Sequence, residues 1–385
     1  MFEVISDPNH IRVREPFQRF AHALLNCSKS LLSMFVRCLP FLLASAPAFA
    51  ASPHLLVNDV PVEPRVVTTQ ARYDTDDPAI WVNRANPAES LIIGTDKDAD
   101  GALMVFGLDG VERKDLSVRG LLRPNNVDLA YDIAVGGKPT DFAVVAERYA
   151  NRLRIYSLPD MRPIDGGGIP VFEGERARDV MGIALYRRPA DGALFAIVSR
   201  SDFGAPQQGY LHQYRLVDDG TGQLRGLFVR AFGTWSGLKE IEALAVDNEL
   251  GYVYASDETF GVRKYHADPL AEDAEDELAT LGTTGFARDH EGISIFPTGA
   301  GTGYILVSDQ QANTFRIFTR EGTASDPHDH RLVGVVKLST LDSDGSDVTA
   351  ANLPGFPGGL FVAMSTDQTF HYYAWADIAK AAGLE

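Results

Sequence analysis

The sequence predicts an all-β protein with the architecture of a six-bladed β-propeller, and three observations support this prediction. A strand-like segment that carries an aromatic residue recurs six times in the 385-residue chain, at spacings of 50–58 residues. Two further apolar segments precede each copy. Sustained helical periodicity is confined to residues 270–281 and to the segment WADIAKAAG near the C-terminus. Six multi-strand units of this length are typical of small sheets arranged around an axis.

The third strand of each unit gives the clearest repeat, because an aromatic anchor is followed by a turn. The copies are LMVFGLDG (103–110), LRIYSLPD (153–160), LHQYRLVDDG (211–220), VRKYHAD (262–268), FRIFTREG (315–322) and FHYYAWAD (370–377). Their anchors are Phe106, Tyr156, Tyr214, Tyr265, Phe318 and Tyr373. Short runs of this composition, bounded by turn residues, favour strands over helices.

The first and second strands of each unit can also be identified. The second strands are SLIIGTD (90–96), DFAVVAE (141–147), LFAIVSR (194–200), GYVYASD (251–257), GYILVSD (303–309) and GLFVAMSTD (359–367). The first strands are DDPAIWVN, NNVDLAYD, DVMGIALY, EIEALAVD, DHEGISIF and SDVTAANL. Residues 53–70 form an extended lead-in, in which we predict a strand that closes the ring. The propeller is predicted to be one domain, 51–385.

Residues 1–50 have the features of a targeting segment, with an N-terminal extension in front of it. Arg37 precedes the apolar run LPFLLASAPAFA (39–50), which ends in small residues and is too short to span a bilayer. We therefore predict a secretory signal peptide that is cleaved after Ala50, with Met34 as the true start. The protein is accordingly expected to be secreted or periplasmic.

The charge balance excludes some partners and favours others. Residues 1–50 carry a net charge of +2, so their removal changes the formal charge from −17 to −19. Such an acidic protein is not expected to bind nucleic acid or an anionic membrane, but it favours bound cations. Both cysteines, Cys27 and Cys38, leave with this segment, so no disulfide is expected in the mature chain. We expect a monomer, because a propeller closes its own core.

Acidic residues recur where the first strands begin. Aligning these strands on Ile80, Leu129, Ile183, Leu244 and Ile293 places Asp76, Asn125, Asp179, Glu240 and Asp289 four positions earlier, and Glu242 and Glu291 two positions earlier. The second strands end near Asp96, Glu147, Arg200, Asp257, Glu258, Asp309 and Asp367. Equivalent positions of a propeller lie at the same height, so the pattern predicts one face rich in carboxylates. Oxygen ligands suit a hard cation, Ca²⁺ above Mg²⁺ or Zn²⁺, although aspartate is also common in turns.

Basic residues stand beside this predicted face, namely Lys97, Arg123, Arg148 and Arg200. They suit a phosphate-bearing substrate, because arginine donates two parallel hydrogen bonds to phosphate and metals bridge phosphate oxygens. Each is equally expected as a solvated surface cation. The sequence has no nucleophile elbow, P-loop or His-Glu-x-x-His motif, and His290 is expected to be structural or to support a neighbouring ligand.

Five segments together resemble the β-propeller phytases, calcium-dependent phosphatases that hydrolyse phytate (myo-inositol hexakisphosphate). They are DTDDPAIWVN, GTDKDADGALMVFGLDG, RPNNVDLAYD, IEALAVDNELGYVYASDE and DHEGISIF, within a resemblance that runs from about residue 60 to the C-terminus. The resemblance implies a phosphomonoesterase of the 3-phytase type that uses several Ca²⁺ ions and an activated water. It implies calcium ligands at Asp76, Glu242, Glu258, Asp289, Glu291, Asp342 and Asp347. It also implies phosphate contacts at or next to Lys97, Arg148 and Arg200, with Arg123 close by.

The chain departs from the family pattern at specific positions. Met181 stands where the family commonly has a tyrosine that touches the calcium and phosphate site, and Ala243 stands where it has glycine. Two other functions therefore remain open from the sequence. One is a metal-dependent lactonase or esterase, with Asn125 or Asn126 and Glu242 as ligands. The other is a non-catalytic secreted propeller in which calcium is only structural.

Overall fold

The computed structural model describes residues 58–201 and 203–384, and it confirms the predicted six-bladed propeller. Residues 1–50, with the predicted signal peptide, lie outside the described residues. Each blade is a four-stranded antiparallel sheet, and in blades 1–5 the four strands follow one another in sequence. Among the described residues, no helix has both the length and the apolar character that a membrane crossing requires.

The blades have the following strands. Blade 1 comprises β2 (Thr75–Trp81), β3 (Leu91–Asp96), β4 (Gly101–Gly107) and β5 (Val118–Leu121), and blade 2 comprises β6 (Pro124–Val135), β7 (Lys138–Glu147), β8 (Arg152–Leu158) and β9 (Ile169–Pro170). Blade 3 comprises β10 (Val180–Arg187), β11 (Leu194–Arg200), β12 (Gln208–Asp218) and β13 (Leu224–Thr234), and blade 4 comprises β14 (Ile241–Asp247), β15 (Tyr252–Asp257), β16 (Gly261–His266) and β17 (Ala279–Leu281). Blade 5 comprises β18 (His290–Gly299), β19 (Thr302–Asp309), β20 (Thr314–Thr319) and β21 (Leu332–Lys337), and blade 6 comprises β22 (Ser346–Thr349), β23 (Leu360–Ser365), β24 (Thr369–Ala374) and β1 (Val66–Val67). Short 3₁₀ helices occupy Pro87–Glu89, Arg148–Ala150 and Gln310–Ala312.

The first strands contact one another around a closed ring, from β2 through β6, β10, β14, β18 and β22 back to β2. Blade 6 takes its outermost strand from the segment that precedes blade 1. Val66 of β1 pairs with Tyr372 of β24, and Val67 pairs with His371. The strand predicted within the lead-in therefore closes the ring.

The hydrophobic core lies between neighbouring blades, because apolar side chains alternate along each strand and face the next sheet. Between blades 6 and 1, the rings of Phe370 and Phe106 are fully buried, with centroids 6.0 Å apart. Burying one such side chain stabilises the fold by about 1.5–3 kcal/mol. Gly94 makes this contact possible, since a Cβ at that position would lie 2.2 Å from the Phe370 ring.

Of the two helical expectations, the structure bears out one. Helix α1 (Trp375–Ala382) forms at the C-terminus and ends at Gly383, whose φ of 69° suits a residue without a side chain. The prediction of helix for residues 270–281 is wrong, because this stretch forms turns that lead into β17. The five acidic residues between 272 and 277 stand in the turns before β17 instead.

The register of the sheets corrects the alignment of the first strands. In five blades the first strand carries a bulge, with two of its residues opposite one residue of the second strand. Past the bulge the equivalent residues are Pro78, Val127, Ile183, Leu244 and Ile293. The alignment on Ile80 and Leu129 was therefore shifted by two residues in blades 1 and 2. A two-residue shift keeps the inward–outward alternation of a strand, so the sequence pattern did not reveal it.

Candidate active site

Each blade presents one side chain near the start of its first strand at the same level of the ring, and in five blades this residue lies in the bulge. A bulge redirects the side chain of the extra residue, and bulges are frequent beside active sites. In blade 6, Ser346 pairs with Ala363 as Pro78 pairs with Gly94, so Asp344 is the equivalent of Asp76. The full set at this level is Asp76, Asn125, Met181, Glu242, Glu291 and Asp344.

Asp76, Glu242 and Asp344 form the first acidic group, in which one oxygen from each carboxylate lies within 4.8 Å of the others. The Lys97 ammonium lies between two of them, with Nζ 2.6 Å from Asp76 Oδ1 and 2.6 Å from Asp344 Oδ2. Asn125 donates from Nδ2 to the second oxygen of Asp76 at 3.0 Å. The amide of blade 2 thus orients the carboxylate of blade 1.

The titration of this group reflects burial and crowding. Burial raises the pKa of Asp344 to about 6, although Lys97 opposes the shift. Burial, and then the charge of Asp76, raise the pKa of Glu242 well above its usual range. Burial alone would lower the pKa of Lys97, but Asp76 and Asp344 outweigh it and hold that pKa well above its ordinary value.

Glu258, Asp289 and Glu291 form the second acidic group, again with ligand oxygens within 4.8 Å of one another. All three side chains are at most 1% exposed. Burial raises the pKa of Glu258 to about 7, and burial together with the charge of Glu242 raises that of Glu291 well above its usual range. A third set, Glu240, Glu242 and Glu258, links the two groups.

These groups contain the features expected of a site for a hard cation. Buried oxygens of four carboxylates lack a hydrogen-bond partner, namely those of Glu242, Glu258, Asp289 and Glu291. Leaving a buried charged oxygen unpaired is costly, and a metal ion among several such oxygens removes the cost. Oxygen-only donors fit Ca²⁺ or Mg²⁺ rather than a metal that prefers sulfur or imidazole.

Arg123 and Arg148 lie on the same side of the ring as Lys97, in blade 2. The Arg148 backbone N–H donates to the Arg123 carbonyl at 3.0 Å, so the two residues are adjacent. The Arg148 side chain is 16% exposed, donates to the Ser201 hydroxyl and lies 3.9 Å from the Met181 sulfur. Arg123 is half-buried, and its guanidinium lies 5.7 Å from the centre of the Tyr149 ring.

The structure does not bring Arg200 to this cluster, in contrast to the prediction. Its side chain is fully buried, and its three nitrogens donate to the carboxylate of Glu175 and to the backbone carbonyls of Ala177, Gly209 and Tyr210. A guanidinium with these partners holds two loops together and has no donor directed at solvent. The next residue, Ser201, is the one that contacts Arg148.

The structure also places Asp342 and Asp347 outside the acidic groups. Asp342 is exposed, with φ of 43°, and its backbone N–H donates to Asn313 Oδ1. Asp347 faces a cavity of about 150 Å³ that is lined by the first strands, where its carboxylate accepts the backbone N–H of Ile80 at 2.7 Å. It therefore ties blade 6 to blade 1. The DSDGSD segment supplies Asp344 to the first group instead.

Four of the acids that end the second strands, Asp96, Glu147, Asp257 and Asp309, have a different role from the one that the sequence pattern suggested. Asp96 accepts the backbone N–H groups of Arg72, Tyr73 and Asp74. In the same way Glu147, Asp257 and Asp309 accept N–H groups from the loop that precedes their own blade's first strand. These carboxylates accept hydrogen bonds from the backbone of the loops. They therefore position the loops that lead to the site and are not available as ligands.

Sequence reasoning missed three members of the site: Asp344, Glu240 as a member of the linking set, and Lys239. The signal for Asp344 was present, because it stands two residues before Ser346, as Asp76 stands two residues before the equivalent Pro78. Lys239 has no comparable signal, since it lies in the loop before β14. The structure places His290 as a buried structural residue, which contacts the Gly282 carbonyl at 2.7 Å and stacks on Phe286.

Comparisons with known proteins agree with this geometry. A family model described as phytase matches residues 24–382, which include all 24 strands. A 3-phytase of Bacillus subtilis (strain 168) is 30% identical over 325 residues. This match covers 80% of the present chain and 81% of the relative.

Proposed function

Because the chain belongs to the phytase family and is a phosphoric monoester hydrolase, we propose that it is a calcium-dependent phytase that releases phosphate from phytate outside the cytoplasm. The observation that carries the proposal is the juxtaposition of two buried acidic groups with Lys97, Arg123 and Arg148. Family membership favours this function over the lactonase or esterase, and over the non-catalytic propeller, that the sequence left open.

The residues that would hold calcium are those whose oxygens converge: Asp76, Glu242 and Asp344 in the first group, and Glu258, Asp289 and Glu291 in the second. Bound there, Ca²⁺ would supply charge neutralisation for phosphate oxygens and a more acidic water as nucleophile. The burial of these carboxylates supports the assignment. Keeping charged groups out of water costs desolvation free energy, and their attraction to a bound cation offsets that cost.

The basic side chains of this chain would bind and orient the phosphates. Lys97 lies at the first acidic group and Arg148 is partly exposed, so both can contact a phosphate next to the carboxylates. Ser201 accepts from Arg148 and fixes the direction of its guanidinium. Met181 offers Arg148 only a weak thioether contact, so this enzyme lacks the phenol that the family commonly has there. Arg200 is not one of these phosphate-binding side chains.

The overall charge explains why such an enzyme would require its metal. The chain without residues 1–50 carries −19, and phytate is itself strongly anionic, so the two repel each other without a bound cation. The three positive charges of Lys97, Arg123 and Arg148 do not balance the negative charges of the seven carboxylates of the site. Substrates with neighbouring phosphates are favoured, because one phosphate can occupy the basic side while another lies at the carboxylates.

The test is phosphate release from phytate by purified protein that has been stripped with chelator and then titrated with CaCl₂ or MgCl₂. We expect no release in chelator and full recovery with Ca²⁺, with less recovery at equal Mg²⁺. Release that continues at the same rate in excess chelator would refute the calcium requirement. A calcium-loaded protein that releases no phosphate from phytate but does so from other monoesters would refute the substrate.

Export and oligomeric state are tested separately. Mass spectrometry of the exported protein should give an N-terminus at Ala51, following cleavage after Ala50. Light scattering should give the mass of one chain. A mature protein that retains residues 34–50, or a dimer at micromolar concentration, would contradict these parts of the proposal.

A further inference from the structure

Lys239 occupies the second acidic group. Its ammonium contacts all three carboxylates, with Nζ bonded to Glu258 Oε2, 3.3 Å from Asp289 Oδ2 and 3.8 Å from Glu291 Oε1. Arg288 also reaches Asp289 with Nε at 3.1 Å, but its side chain is 65% exposed and touches only this one member of the group. Lys239 is therefore the cation that the group shares.

We propose that Lys239 is a built-in counter-cation, which holds the second acidic group together in the metal-free protein and must be displaced when a divalent cation binds there. This inference rests on the proposed metal-dependent function. An ammonium and a metal ion compete for the same carboxylate oxygens and repel each other at short range. Lys239 thus sets how much free metal the protein needs before this group is loaded.

The side chain of Lys239 is able to leave, whereas the carboxylates are not. It is 36% exposed, while Glu258 and Asp289 are fully buried. A lysine side chain is a flexible four-carbon stem, so the ammonium can move into solvent without a change in the backbone. The backbone itself is held, because Trp235 donates from its indole nitrogen to the Lys239 carbonyl.

Lys97 provides a contrast within the same site. It also bridges two carboxylates, but its side chain is only 14% exposed and lies between Asp76 and Asp344. Such an enclosed ammonium has less room to exchange with a metal ion. The two acidic groups therefore differ in their built-in cation, one retained and one released.

The experiment compares Lys239→Met with the wild type and with Lys138→Met, a change at an exposed lysine of a β-hairpin for which no ion pair is seen among the described residues. Calcium half-saturation is measured by calorimetry, and melting temperature is measured in excess chelator. In Lys239→Met we expect half-saturation at a calcium concentration at least about tenfold lower, about 1.4 kcal/mol tighter. We also expect a lower melting temperature in chelator, because the carboxylates lose their shared partner.

Further variants and activity measurements separate the outcomes. Lys239→Arg, which retains the charge, should behave as the wild type, and Lys138→Met should change neither quantity. An unchanged or weaker calcium affinity in Lys239→Met would overturn the inference, while calcium-dependent phosphate release by the wild type would still support the proposed function. Conversely, the tenfold shift in a protein that releases no phosphate would support the inference and sink the function. A wild type that binds no calcium would overturn both.

Discussion

An Asp344→Asn substitution should weaken calcium binding while leaving the propeller folded. Asp344 supplies one of the three carboxylates of the first acidic group, and its side chain is 12% exposed. Asparagine keeps the shape and removes one charge. Lys97 keeps its 2.6 Å contact with Asp76, so the substitution does not leave that ammonium unpaired.

The magnitude follows from the geometry of the group. A cation among oxygens that lie within 4.8 Å of one another is close to all three carboxylates. Two unit charges 4 Å apart near a protein surface interact by about 4 kcal/mol. Solvent and the competing Lys97 reduce this value, and we expect a net loss of about 2 kcal/mol, which corresponds to calcium affinity roughly thirtyfold weaker.

The assay is phosphate release from phytate as a function of free calcium. The Asp344→Asn curve should shift to higher calcium by about the same factor, while its melting temperature in chelator stays at or above that of the wild type. The matched control is Asp342→Asn, in the same loop but outside the group, which should behave as the wild type. If Asp342→Asn shifted the curve and Asp344→Asn did not, the assignment of Asp344 to the first acidic group, which rests on the register of blade 6, would be refuted.

Three further predictions concern other parts of the site and the fold. Arg148→Met should raise KM for phytate without changing the melting temperature. Arg200→Met should destabilise the fold by about 3 kcal/mol or more, because it leaves the carbonyls of Ala177, Gly209 and Tyr210 without their donor; the reverse pattern in phosphate release and thermal unfolding would contradict both roles. Met181→Tyr should lower KM by placing a hydroxyl beside Arg148. It should also destabilise the fold by about 1–3 kcal/mol, because it overpacks a site that is 3% exposed. An unchanged KM would count against that position as a phosphate contact. Burial, and then the charge of Lys264, lower the pKa of His330 to about 4, so the folded state resists protonation and loses stability as pH falls from about 6.5 towards 4. His330→Gln disturbs the ring contacts with Lys264 and with the Thr319 carbonyl, so it should be less stable than the wild type at pH 7. Because glutamine does not titrate, urea unfolding should show that gap narrowing by up to about 3 kcal/mol near pH 4, and a gap independent of pH would rule out this linkage.

The fold could be predicted from the sequence because each blade is built mainly from residues that are close together along the chain, and its pattern repeats in every unit. Each unit repeats its aromatic strand, and the alternation within strands decides which residues enter the core between blades. The closing strand β1 was predictable from the extended lead-in before the first unit. Residues 270–281 were not, because acidic and apolar residues with helical spacing also suit turns around an edge strand.

The candidate site was only partly predictable, for two physical reasons. A shift of two residues leaves the alternation along a strand unchanged, so Asp76 and Asn125 were aligned with the wrong residues of the other blades. Asp344 was overlooked because the alignment did not include the sixth first strand. Side-chain direction at a strand end is likewise absent from the sequence. Arg200 ends β11 just as Glu147 ends β7, yet its guanidinium turns inward to Glu175 and to backbone carbonyls.

The closure of blade 6 by β1 has a consequence for the order in which the molecule matures. The segment before blade 1 pairs with the last strand of the chain in one sheet, and Lys97 joins Asp76 of blade 1 to Asp344 of blade 6. A growing polypeptide that has not yet produced its final 40 residues or so has neither the seam nor a supported first acidic group. Under the proposed function, metal binding at this group would therefore require the end of the chain, because Asp344 supplies one of its three carboxylates.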